Sequence, residues 1–337
     1  MNKLYPLIFN PIFKEKIWGG QNLKSTLNKN IPSEKNIGES WEISGIEGNN
    51  SVASNGFLEG NELNELIEIY MGDLVGDRIY DKFGNEFPLL IKFIDANKPL
   101  SVQVHPNDKL AKEKHNGYGK SEMWYVVDAK NESELISGFN HEMDKAHFSN
   151  HLNKNKITDI LNFEKVQAGD VFYIPAGRVH AIGEGIVLAE IQQTSDITYR
   201  VYDWDRKDET GKSRELHVKE ATDALDFKVY DTYKTDYPIT KNSNSKIIST
   251  PYFETNILDF DQNIEKDYNL IDSFVIYMCI DGEFELEYYE SEKQRIKKGE
   301  TVLIPSAIEH LTLTPVIPSK LLEIYIPDLE NAGNIKK

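Results

Sequence analysis

The sequence predicts a mainly β protein made of two barrels of one kind in tandem, with a few short helices. Two observations carry this expectation. Strand-like apolar runs follow one another at short intervals with turn residues between them, the pattern of a sandwich or closed barrel. A strand–turn–strand skeleton also occurs twice, as GDVFYIPAGRVH at 169–180 and GETVLIPSAIEH at 299–310. Each copy reads Gly, five residues, Pro, and then a His five residues after the proline. The preceding strands correspond too, MWYVVD at 123–128 against IYMCID at 276–281. Two copies are too few for a solenoid, so the expected division is 1–240, with the first barrel and small helical segments, and 241–337, with the second.

Taken in order, the elements support this plan. The opening MNKLYPLIFNPIFKEKIWGG is apolar only in short pieces broken by Pro6, Pro11 and charges. It lacks the continuous apolar stretch and small-residue cleavage site of a signal peptide. ELNELIEIY at 62–70 places Leu63, Leu66, Ile67 and Tyr70 at helical spacing. Strands are expected at 88–94, 100–105, 122–128, 170–175, 186–193 and 198–204 in the first part. In the second they are expected at 273–281, 283–289, 301–305 and 320–327. The segment 144–161 reads as one or two short helices, and the polar stretch 232–245 as the linker.

Composition bounds the function. With 337 residues, 39% of them hydrophobic, the chain can build a substantial core. It has no apolar run of about 18 residues, so no membrane span is expected. The single cysteine, Cys279, lies in the apolar run FVIYMCI and reads as a buried structural thiol. One cysteine allows no internal disulfide and suits a reducing cytoplasm. A net charge of −17 argues against nucleic acid and anionic membranes as partners. An anionic substrate would need its own local cluster of Lys and Arg.

Four residues form a candidate metal site. Gln103 and His105 lie two apart in LSVQVHP, so they share one strand face if Val102 and Val104 pack on the other. Glu122 opens the next strong strand, and His180 follows the Pro-Ala-Gly turn. Two imidazoles, a carboxylate and an amide suit a borderline divalent ion such as zinc; iron and manganese remain open on ligand type. His115, His141, His147 and His151 sit in polar surroundings and are expected at the surface, while His217 is expected near the site or in the core. In the second copy His310 stands alone, with Ser273, Phe274 and Val275 where Glu122 would align. The second barrel is expected to hold no metal and to pack, shape the site or dimerise.

Gly169, Pro175, Gly177 and His180 match the second motif of the cupin superfamily, whose members are jelly-roll β-barrels. The blocks PLLIKFIDANKPLSVQVHPND, GKSEMWYVVD, GDVFYIPAGRVHAIGEG and QQTSDITYRVYDWDR narrow the likeness. Together they resemble type I mannose-6-phosphate isomerases in their short bacterial form, over most of residues 5–220 and more weakly to about 327. KIWGG and GESWEISG at the N-terminal end resemble the same family. The resemblance implies two cupin-like jelly rolls and one Zn2+ per chain, held by Gln103, His105, Glu122 and His180. It implies interconversion of mannose 6-phosphate and fructose 6-phosphate, with Arg200 as the catalytic arginine. The helical insertion of longer forms would be reduced or missing, because little chain lies between Tyr125 and Gly169.

Such a reaction moves a proton between C1 and C2 through a cis-enediolate. It needs a base and positive charge near the developing oxyanion. Arg200 cannot release a proton near neutrality and is assigned the electrostatic role. Lys120, Glu42 and a metal-bound hydroxide all remain open as the base, with Lys120 taken as the catalytic partner of Arg200. Ser101, Lys92, Lys120 and Arg206 are the candidate phosphate donors, Ser101 because it shares the face of Gln103 and His105. The competing readings are a metal-dependent cupin oxygenase and a non-catalytic sugar-binding cupin. The expected state is a monomer or homodimer.

Overall fold

A computed structural model describes residues 3–207 and 210–328. The protein is mainly β, and its named strands pair antiparallel throughout. In the first half a seven-stranded sheet runs Val171–Ile174, Glu122–Ala129, Ile186–Gln193, Leu89–Ala96, Ile37–Ile46, Ile12–Gly20, with Asn49–Asn50 beside it. A five-stranded sheet runs Tyr199–Tyr202, Val102–Val104, His180–Ala181, Glu134–Phe139, Leu161–Lys165. The two sheets face each other, with Trp124, Phe172 and Leu188 of the larger packed in one cluster with Leu135 of the smaller and with Ile182, which follows its strand His180–Ala181. On the outer face of the smaller sheet, Val102 and Val104 pack with Phe139, Phe148 and Ala221.

The second half is an eight-stranded sheet, in which two long strands, Val275–Tyr288 and His310–Tyr325, lie side by side. The runs 273–281 and 283–289 are therefore one strand rather than two. Register shifts at Cys279/Asp281 and Asp281/Glu283 let it bend where the sequence suggested a break. The N-terminal Leu7–Ile8 pairs with Thr301–Ile304, so the start of the chain belongs to the last sheet. Cys279 is fully buried in the interior of this half.

The larger sheet of the first half is covered on both faces. Ile186, Leu188, Glu190 and Gln192 point toward the smaller sheet, while Val187, Ala189 and Ile191 point the other way. That second face shares one core with Leu63, Leu66 and Ile67 and with Ile257, Ile276 and Leu322 of the C-terminal sheet. The two halves are thus joined by a common core across residue 240.

Leu63–Tyr70 is helical, opened by a reciprocal capping box of Glu62 and Glu65. The 144–161 stretch forms a helix, Lys145–Asn153, and a 3-10 turn, Ile157–Ile160. The polar segment 232–245 is not a loose linker but a packed strap. Tyr233 donates to the Phe139 carbonyl at 2.9 Å, Lys234 pairs with Asp170 at 2.8 Å, and Tyr237 donates to the Gly169 carbonyl at 2.6 Å. No helix among the described residues is long and apolar enough to cross a membrane.

Candidate metal centre

The turn before His180 sets its position. Arg178 N–H closes the turn on the Pro175 carbonyl at 3.1 Å, and Gly177 takes φ +90°, the left-handed value that a type II turn requires at its third residue. Gly177 N–H also donates to the His105 carbonyl at 2.9 Å, which ties the turn to the neighbouring strand. A Cβ at Gly177 would stand 3.0 Å from the Ala224 carbonyl oxygen. In the smaller sheet, Gln103 has His180 as its partner on one side and Arg200 on the other. Glu122 enters from the facing sheet, on the same face as Trp124.

His105, Glu122 and His180 meet here. Their ligand atoms all lie within 4.8 Å of one another, and each residue is at most 1% exposed. The backbone fixes both tautomers. His105 Nδ1–H donates to the Ile197 carbonyl at 2.9 Å, and His180 Nδ1–H to the Arg178 carbonyl at 2.8 Å. Each Nε2 is left as a lone pair turned toward the carboxylate, His180 at 3.3 Å from Oε1 and His105 at 3.6 Å from Oε2. Neither Glu122 oxygen, nor His105 Nε2, has a hydrogen-bond partner. Acceptors that face each other with no proton between them are costly in a dry interior unless a cation joins them. This donor set therefore fits a divalent metal.

Electrostatics keep the set ready to ligate. Burial and then the Lys120 ammonium hold the His105 imidazole down to about 3. Burial likewise lowers His180. For Glu122 burial pushes upward, but Lys120 and then His105 outweigh it and hold the carboxyl well below the usual carboxylate range. Gln103 Nε2 lies 3.3 Å from His180 Nε2, at the edge of the group.

Beside this triad opens a cavity of about 260 Å³, walled by Gln103, Ser101 and Lys120. Its lining carries five cations, Lys16, Lys92, Lys120, Arg200 and Arg214, against three carboxylates, Glu39, Glu190 and Asp196. A chain of net charge −17 thus keeps a locally positive pocket. Lys120 Nζ stands 3.6 Å from Glu122 Oε2. Arg200 Nε donates to Ser101 Oγ at 3.3 Å and Nη1 to the Glu215 carbonyl at 2.8 Å.

Other sequence candidates are placed differently. Lys92 lines the cavity, but its ammonium is taken by Glu190 at 2.9 Å and the Gln192 amide oxygen at 2.7 Å. Burial opposes that charge, and Glu190 with Glu39 overcomes it and keeps Lys92 protonated. Arg206 does not line the cavity; it bonds Asp203 and the Pro99 carbonyl. Glu42 is paired with Lys29 at 2.6 Å, also off the cavity. His115, His141 and His147 are exposed, and His151 is half-buried with its Nδ1 on the His147 carbonyl. His217 is half-buried and accepts from Arg200 N–H at 3.2 Å.

Sequence reasoning did not single out Lys16, Trp18, Glu39, Trp41, Glu190 or Arg214. The first four come from the KIWGG and GESWEISG blocks, whose family likeness was a usable signal. Glu190 sits in the apolar run IVLAEIQQ, where a charge on an inward face was itself a sign. Arg214 lies in a polar loop and gave none. Its Nε is held by Asp203 Oδ2 at 2.8 Å.

In the C-terminal sheet the register matches while the chemistry does not. Ile174 pairs with Glu122, and Ile304 pairs with Val275. His310 is exposed, beside Asn269 and Asp267. The interior is filled by Phe260, Tyr277, Phe284 and Leu286.

Comparison with known proteins agrees with this geometry. The family model "Phosphomannose isomerase type I, catalytic domain" matches residues 7–158. A putative mannose-6-phosphate isomerase of Bacillus subtilis, YvyI, is 35% identical over 314 residues, 91% of this chain and 95% of that one. The chain belongs to the type I phosphomannose isomerase family. A further family member, the mannose-6-phosphate isomerase ManA of Bacillus subtilis, is 44% identical over 225 residues, covering 66% of this chain and 68% of that one. The crystal structure of a Bacillus subtilis mannose 6-phosphate isomerase superposes with a TM-score of 0.85 at 32% identity, over 95% of this chain and 99% of the other.

Proposed function

We propose that this member of the type I phosphomannose isomerase family interconverts mannose 6-phosphate and fructose 6-phosphate as a zinc-dependent, cytoplasmic enzyme. The observation that supports the reading best is the triad of facing acceptors, His105, Glu122 and His180, set behind Gln103 and Lys120 of a cation-lined cavity. In this reading the three hold Zn2+, and turning the Gln103 amide over adds its oxygen as a fourth ligand. Bound there, the ion supplies Lewis-acid stabilisation of negative charge on the sugar oxygens.

The chain's own residues supply the rest. The Arg200 guanidinium, fixed by Ser101 and the Glu215 carbonyl, places permanent positive charge where the cis-enediolate oxygens develop theirs. Lys120, buried beside Glu122, carries the proton between C2 and C1. Ser101 and Arg214 hold the phosphate, Arg214 as a guanidinium already oriented by Asp203. Arg206 shares Asp203 with Arg214 and so positions it. Lys92, neutralised by Glu190, shapes the charge of the wall. Trp18 and Trp41 line the cavity and exclude water from the sugar.

A coupled assay for fructose 6-phosphate formed from mannose 6-phosphate tests the reading. The zinc-loaded protein is expected to turn over, while His105→Ala and His180→Ala lose metal and activity together. Absence of turnover by the zinc-loaded protein would overturn it.

A further inference from the structure

The C-terminal half reaches the metal ligands through a chain of hydrogen bonds. Tyr252 lies in the turn between Asn244–Ser249 and Glu254–Phe260. Its hydroxyl donates to Asp108 Oδ2 at 2.8 Å. Asp108 Oδ1 accepts from Gly119 N–H at 2.9 Å and from Gln193 Nε2 at 3.0 Å. Gln193 Oε1 then accepts from Ser121 N–H at 2.9 Å, and Gln193 N–H donates to the Ser121 carbonyl at 3.2 Å. Ser121 stands between Lys120 and Glu122. Its hydroxyl accepts from Ala176 N–H at 3.2 Å, in the turn that delivers His180.

This segment has no slack. A Cβ at Gly119 would stand 2.5 Å from the backbone nitrogen of Asp108, so 119–121 lies pressed against the start of the helix Asp108–His115. Two groups that fix the backbone around Lys120 and Glu122, the Gly119 N–H and the Gln193 amide, converge on one carboxylate, and Tyr252 of the C-terminal half donates to its other oxygen.

We propose that Tyr252 and Asp108 form a clamp through which the C-terminal sheet holds Lys120 and Glu122 in register for metal binding. Tyr252 is then a positioning residue, and the half without its own histidine cluster tunes the centre in the other. The inference rests on His105, Glu122 and His180 being a metal site. Its physical basis is that ligand affinity depends on groups outside the ligands themselves, whose loss costs roughly 10- to 100-fold.

Tyr252→Phe removes one hydroxyl and no packing volume. By competition with a chelator it is expected to bind zinc about 10-fold more weakly, and to lower kcat more than it changes KM. Asp108→Asn should weaken binding too, and the double variant no more than the stronger single one. Arg78→Ala is the control. Arg78 also joins the halves, donating to the carbonyls of Asp272 and Ile326 at 3.3 and 2.9 Å, but contacts none of these residues. It should lower the unfolding midpoint and leave zinc affinity unchanged. The clamp is overturned if Tyr252→Phe binds zinc like wild type, or if Arg78→Ala loses affinity equally. Wild-type protein that takes up no zinc would instead overturn the reading of the site, and the clamp with it.

Discussion

At the scale of single residues, charge that is fixed before substrate arrives decides what each group can do. Arg200 is held by two oxygen acceptors, so its guanidinium does not reorient during reaction. Arg200→Ala should lower kcat by about 10²–10³-fold, as loss of one preorganised donor does elsewhere, with little change in bound metal. Steady-state kinetics with metal analysis checks this. Lys120→Met should lower kcat about 10²–10⁴-fold if it carries the proton. A second buried charge lies far from the site. Glu323, in the C-terminal sheet, accepts from Asn244 at 2.8 Å and Asn256 at 2.9 Å and pairs with Lys266 and Tyr268. Burial pushes its carboxyl up, but Lys266 together with the hydrogen bonds from Tyr268 and Asn244 outweighs burial and leaves it below the usual range. A folded value below the unfolded one stabilises the protein at pH above about 4.3, and that contribution fades as pH falls through the folded value. Glu323→Gln should therefore cost about 3–5 kcal/mol near pH 7, and the gap to wild type should close in acid. Urea unfolding at several pH values measures it.

At the scale of elements, the turn at Gly177 is the part most exposed to a single change. Its φ of +90° and the Ala224 carbonyl 3.0 Å from a notional Cβ both act against any side chain. Gly177→Ala should cost about 1–2 kcal/mol through backbone strain and should also weaken metal binding, because His180 follows three residues later. Ala307, at the matching place in the second copy, is not left-handed, and there His310 is exposed. This difference also shows how far the sequence could be read. The strand–turn–strand skeleton was legible because Pro and Gly mark turns, and Ile186–Gln193 because both of its faces are buried and its apolar run is nearly unbroken. Ile12–Gly20 and Ile37–Ile46 were not legible as strands. Lys16 and Glu39 interrupt their pattern because they point into a polar cavity, so the feature that hid the strands is the one that makes them functional. Arg214 was illegible for another reason: it reaches the cavity from an irregular loop, where no periodicity assigns a face.

At the scale of the whole molecule, each half has an interior of its own, and a further core is shared between them. Leu89, Ile91 and Ala189 pack in one cluster with Ile257, Ile276 and Leu322, and Leu7–Ile8 completes the edge of the last sheet. A fragment ending at residue 240 would expose that face of the larger sheet. It should lack a cooperative unfolding transition and bind an apolar dye, whereas the intact chain should unfold as one unit. Calorimetry of both distinguishes the cases.

The double covering of the larger sheet also makes one strand a gauge. Every residue of Ile186–Gln193 is buried, and its backbone is paired on one side to Leu89–Ala96 and on the other to Glu122–Ala129. No local fraying can reach its amides. In deuterium oxide they should exchange last in the molecule, at a rate set by global opening alone. Their protection then reads out how tightly the folded state holds the strand that carries Glu190 into the cavity wall.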